Sequence, residues 1–134
     1  MADLHEVFSG AVTPGLHPLE QAVTAEDLAE MAAGHGWIPI VVSLAGVTDK
    51  VGLLDRLAEA GRFPAYAGRN WDALQDALGD LAWLGPADGF LLVLDGWVRF
   101  EEAAPGDAAV LESVVTQAGT EWFARGTPLA AVTL

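Results

Sequence analysis

Three aspartates at four-residue spacing, Asp72, Asp76 and Asp80, are the residues of this chain best placed to do chemistry. On a helix, at about 100° per residue, they fall in one stripe, with Gln75 on its flank. Paired carboxylates work as acid and base when their environments differ, as in a glycosidase cleft built from separate elements. Carboxylates on consecutive turns of one exposed face share a single environment, which suits that work poorly. What the stripe does offer is a row of anions about 6 Å apart along the helix axis, at about 1.5 Å of rise per residue. Like charges at this spacing destabilise a helix by about 0.2–0.5 kcal/mol per pair, and Asp is a poor helix former beyond the first turn. Two explanations remain open for such a costly surface: a solvated face in an acid-rich chain, or a surface built to meet something positive.

The other reactive residue types form no pattern. His5, His17 and His35 are widely spaced, and no HExxH motif occurs. Ser9, Ser43 and Ser113 lie outside any GxSxG elbow, and the glycines make neither GxGxxG nor a Walker loop. There is no cysteine, so neither a disulfide nor a thiolate site exists. We expect no catalytic residue, no metal site and no cofactor. Charge narrows the partners further. Nineteen acids against six Lys plus Arg give a net charge of -13, which excludes an ordinary nucleic-acid binder and favours a basic protein partner or simple solubility. No apolar run has membrane-spanning length, and the first residues lack a basic-then-apolar leader, so the expected location is the cytoplasm.

The stripe needs a helix to carry it. Pro64 ends any helix before it, Gly68 permits a turn, and Asn70 is a good N-cap. The spacing predicts a helix from Asn70 to about Leu84, with Trp71, Leu74, Leu78 and Leu81 on its buried side. Tyr66 sits in the loop just before it, where an amphipathic ring commonly serves recognition. Trp37, Trp71 and Trp122 fit core or core-edge positions.

Around this piece the chain alternates strands and helices. Residues 1–23 read as loop with a short strand around Val7–Phe8. Thr24 caps a helix from Ala25 to Ala33. Trp37–Leu44 is a nearly continuous apolar strand buried on both faces, with Pro39 near its start. Thr48 caps a helix from Asp49 to Ala60 that buries Val51, Leu54 and Leu57. Phe90–Leu94 is a second buried strand, and Trp97–Ala103 is a short irregular or helical piece. Asp107 caps a helix to about Arg125 with Leu111, Val114, Val115, Ala118 and Trp122 on its apolar stripe. Leu129–Leu134 is the last strand. Strands separated by helices imply crossovers and a parallel sheet. The reading is an α/β fold: one small three-stranded parallel sheet packed with helices.

The run Phe63-Pro64-x-Tyr66-x-Gly68-x-Asn70-Trp71-Asp72-Ala73-Leu74-x-Asp76-x-Leu78-x-Asp80-Leu81 resembles the signature of the barstar family, intracellular inhibitors of secreted microbial ribonucleases. The resemblance runs from about Trp37 to the C-terminus. It implies a barstar-like domain over 37–134 and an N-terminal extension over 1–36 that docks on the core without supplying the main binding face. It implies a proteinaceous inhibitor whose partner is a basic secreted ribonuclease. Asp76 would be the central anchor, Asp72 its neighbour and Tyr66 the aromatic contact, with Gly68 and Asn70 shaping the loop. Gln75 and Asp80 complete the expected partner-binding set. The chain departs from the family pattern at Ala67, Arg69 and Gln75. An acid from the segment after the second strand is also expected at the interface, with Glu101, Glu102 and Asp107 as candidates. The readings set beside this one are an immunity module for another basic toxin and a small carboxylate-based hydrolase.

Overall fold

Successive residues of a strand face opposite sides of its sheet, and here both sides are apolar, so helices must cover both. The computed structural model describes all of residues 1–134. In order come α1 (Leu4–Ser9), β1 (Leu16–Pro18), α2 (Ala25–Gly34), β2 (Trp37–Ser43), α3 (Lys50–Ala60) and α4 (Trp71–Asp80). A 3-10 turn (Ala82–Leu84) leads to β3 (Gly89–Asp95), α5 (Trp97–Ala103), α6 (Pro105–Ala124) and β4 (Leu129–Thr133). All strand pairs are parallel, in the order β1-β4-β3-β2.

The sheet therefore has four strands, not the expected three. Leu16, His17 and Pro18 pair with Ala131, Val132 and Thr133. Three residues that include a proline carry no period of their own; what makes them a strand is the free edge of β4. The segment around Val7–Phe8 is a helix and not a strand. Asp3 caps it by accepting from the Glu6 amide at 2.8 Å, and Gly10, at φ 77°, ends it.

The N-cap of α3 is Asp49, accepting from the Gly52 amide at 2.9 Å, and not Thr48. With α3 starting at Lys50, Val51 turns outward at 68% exposure and Leu53 joins Leu54 and Leu57 in the core. Helix α6 begins at Pro105, whose fixed φ suits a first helical position, so Asp107 lies inside the first turn instead of capping it. Of the strands expected to be buried on both faces, β3 is fully so up to Asp95. β2 is an edge strand, with Ile38, Pro39 and Val41 half-buried. A proline there removes a donor that an edge strand would otherwise offer to another chain.

The two faces hold separate apolar clusters. Ile40, Val42, Phe90, Leu92, Leu94 and Ala131 point toward α3, α4, α5 and α6. Leu91, Val93, Ala130 and Val132 point the other way, against Val7, Leu19, Ala25, Leu28 and Ala32. Residues before Trp37 thus form the whole covering of one sheet face, and α2 itself is held by a capping box between Thr24 and Asp27. No polar or charged residue is buried anywhere, which leaves every acid at or near the surface.

Leu28 has no exposed surface. Replacing it with Ala is expected to destabilise the protein by about 2–5 kcal/mol, through lost transfer energy and a cavity. A lowered urea midpoint with an unchanged slope would be the readout. Because Leu28 and α4 lie on opposite sides of the sheet, properties of the α4 surface should be untouched.

Candidate functional site

The loop before α4 is tied down from both ends. The Phe63 amide donates to the Ala58 carbonyl at 2.9 Å, and the Ala67 amide closes a turn onto the Pro64 carbonyl at 2.9 Å. The Phe63 ring meets Trp83 edge-on, and the Trp83 indole donates to the Gly61 carbonyl at 2.9 Å. Gly68 was expected to supply a special turn conformation. Its φ is not in the left-handed region; its value is space, since a Cβ there would stand 3.3 Å from that of Ala73. From this loop Tyr66 projects outward at 86% exposure and is not folded under it.

Asn70 starts α4 by accepting from the Ala73 amide at 2.8 Å. Leu74 and Leu78 are buried, Trp71 packs half-buried against the same cluster, and Asp72, Asp76 and Asp80 are exposed on the other side. The helix is shorter than expected. It ends at Asp80 because Leu81, drawn fully into the core, takes a left-handed φ of 53°. The 3-10 turn then occupies the residues that the pattern assigned to the helix.

Two side chains at the C-terminal end of α6, Trp122 within it and Arg125 just past it, satisfy carbonyls that α4 leaves open at its end. The Trp122 indole donates to the Leu78 carbonyl at 2.7 Å, and Arg125 Nη2 donates to the Gly79 carbonyl. This crossing brings in an acid that the sequence reading missed. Glu121 lies against α4, its Oε2 2.9 Å from where a Cβ on Gly79 would be. Gln117 Nε2 donates to its other oxygen at 3.2 Å. The one available signal was adjacency to Trp122, and it is mute until the helix crossing is known.

The acids expected from the segment after the second strand sit on α5 and at the start of α6. Glu101 lines a groove with Leu16, Pro18 and Leu134, and Glu102 is on the same short α5. Asp107 is 14 residues, about 21 Å of helix, from Glu121.

Asp72, Asp76 and Asp80 have no cation within ion-pair distance; the pair formed in the molecule is Arg69–Asp55. Asp80 has a local task, accepting from the Ala82 amide at 3.3 Å. Between the loop and α4 lies a pocket of about 240 Å³ lined by Pro64, Tyr66, Ala67, Asp76, Asp80 and Trp83. Gln75 stands apart from the other candidates: it is half-buried, and its Nε2 is closed off from solvent with no acceptor. The histidines lie far from this face. His17 Nε2 is 2.7 Å from the Thr13 carbonyl, and His35 stacks on Phe8 with ring centroids 4.6 Å apart. No three His, Asp or Glu side chains gather as metal ligands do, and no helix is long and apolar enough to cross a membrane.

The arrangement is a fixed anionic surface with one projecting aromatic ring, carried by elements between β2 and β4. A search of curated proteins finds no match to the chain. The sequence model of one family, described as Barstar (barnase inhibitor), matches residues 37–133, from the first residue of β2 to the last of β4. That span includes the loop, α4 and α6, and the chain belongs to the Barstar family.

Proposed function

We propose that this protein inhibits a basic secreted ribonuclease by seating the acidic side of α4 in the enzyme's phosphate-binding cleft. The observation that carries the reading is the open stripe of Asp72 and Asp76, without internal cations and flanked by Tyr66 on one side and Glu121 on the other. A ribonuclease must hold Arg, Lys or His around the phosphates of its substrate. A carboxylate array can stand in for those phosphates, and carboxylate–guanidinium contacts are short and bidentate. The projecting Tyr66 ring adds apolar contact at small entropic cost. The remaining charge steers the encounter. In this reading the protein carries out no reaction of its own, and the inhibitor acts where the ribonuclease would otherwise meet the cell's RNA, in the cytoplasm.

Asp76 is the central residue. Asp76→Ala should weaken binding by about 2–5 kcal/mol or more, because cations of the partner would be left buried and unpaired. The free protein should gain a few tenths of a kcal/mol, since repulsion from Asp72 and Asp80 is relieved. Asp80→Ala should cost less than about 1 kcal/mol of binding, as expected of a rim contact, and should slightly lower the melting temperature through the lost bond to the Ala82 amide. Calorimetric titration against the cognate ribonuclease, with melts of each variant alone, reads both quantities. Wild-type affinity in Asp76→Ala with a large loss in Asp80→Ala would reverse the assignment.

Steering has its own signature. Exposed charges are screened beyond about 8 Å at physiological ionic strength. The association rate should therefore fall steeply between low and moderate salt, with the dissociation rate changing far less. Stopped-flow traces with equal association rates at both ionic strengths would refute a steering role for the -13 charge.

A further inference from the structure

Only six cationic side chains oppose 19 acids in this chain, and most of those near the site are occupied. Arg125 lies over the Trp122 ring at 3.9 Å and donates to the carbonyls of Gly79 and Glu121. Lys50 sits 5.8 Å from the centroid of the Trp71 ring. Arg69 differs. It stands one residue before the N-cap of α4, in the same loop as Tyr66, with 47% of its side chain exposed. Its Nη1 donates to the Ala67 carbonyl at 3.2 Å, and its Nε lies 3.6 Å from an Asp55 oxygen that is itself exposed.

Five N–H groups make up a guanidinium. One is used on Ala67, and the Nε group faces Asp55 beyond good hydrogen-bond length. The outer edge, formed by Nη2 and the second Nη1 hydrogen, is free. That edge is the fork that takes a carboxylate by two parallel bonds. The contact with Asp55 does little to hold it back, because exposed pairs made through a single nitrogen contribute little. The bond to Ala67 and the turn beneath it hold the guanidinium in place.

The surface is thus not uniformly negative. Along α4 it runs from Asp80 through Asp76 and Asp72 to a cation at its head, where the positive end of the helix dipole adds the same sign. We propose that Arg69 is a specificity-determining residue of the inhibitory face: it pairs with a carboxylate at the border of the ribonuclease's cationic cleft. Enzymes bearing a cation at that border are rejected by like-charge repulsion, and those bearing neither lose a bidentate contact. This rests on the inhibitor reading given above.

Barnase serves as the probe, with a scan in which each residue around its active-site cleft is changed in turn to Glu. Each variant is titrated against the wild-type chain and against Arg69→Ala, Arg69→Lys and Asp76→Ala. We expect one cluster of Glu variants to bind wild type at least tenfold more tightly than unchanged barnase does. The gain should vanish in Arg69→Ala and survive in part in Arg69→Lys, which keeps the charge but not the fork. Melting temperatures of the Arg69 variants should match wild type, which separates pairing from a structural role. If no Glu variant gains, or if the gain persists in Arg69→Ala, the proposal is wrong. In that case a loss of binding across the scan in Asp76→Ala leaves the inhibitor reading standing. Binding that is indifferent to Asp76→Ala removes that reading and this one together.

Discussion

The hold of α6 on the last carbonyls of α4 is the contact on which the acidic face depends. A helix of ten residues is marginal on its own, and this one carries three acids that repel one another. One of its first amides, that of Ala73, is met by Asn70, and its last carbonyls by Trp122 and Arg125. Leu74, Leu78 and Leu81 then set its rotation by entering the core. With both ends and the rotation fixed, Asp72 and Asp76 have no choice but to face outward. The same contact brings Glu121, the residue preceding Trp122, beside Gly79. One crossing therefore both secures the helix and enlarges its charge.

The sheet provides the rigid floor under this arrangement. β3 is apolar on both faces and lies between β2 and β4, so it is stable only as the middle of three layers. α3, α4, α5 and α6 supply one outer layer and residues before Trp37 supply the other. The first layer carries the acids; the second is committed to closing Leu91, Val93 and Val132 away from water. Strain on the binding layer is thus separated from the layer that completes the core.

How much of this was legible follows from what each signal depends on. The α4 stripe, the Asn70 cap and the apolar runs of β3 and β4 depend on local period and local hydrogen bonding, and the sequence displays them directly. The strand at Leu16–Pro18 exists only because β4 has a free edge, so no local pattern announces it. In α3 Asp49 caps in place of Thr48, and Val51 faces out while Leu53 faces in. Neighbouring residues that can both cap are a true local ambiguity, settled by tertiary burial. Leu81 is similar: helical periodicity ran on through it, but burying its side chain required a left-handed backbone that stops the helix. Glu121 was hidden for the most basic reason. Its partner, Gly79, is 42 residues away, and nothing short of the packing of α6 on α4 joins them.

The free protein keeps Asp72, Asp76 and Asp80 without a counter-charge and Tyr66 in water, a state less stable than a mixed surface would give. In the proposed reading that geometry is held for a cationic partner. Ordering loops and side chains is a main cost of association. Here the Tyr66 loop is already fixed by the Phe63–Trp83 contact, the Pro64–Ala67 turn and the Asn70 cap. Asp72 and Asp76 stand on a helix clamped at both ends. In the proposed complex little would remain to be ordered, and the repulsion between neighbouring aspartates would be relieved as each met a counter-charge. Like charges one turn apart also occur in α2, at Glu26 and Glu30, and in α3, at Asp55 and Glu59; α4 differs in carrying three aspartates in one row on a helix clamped at both ends, and in the proposed reading a cationic partner offsets their repulsion.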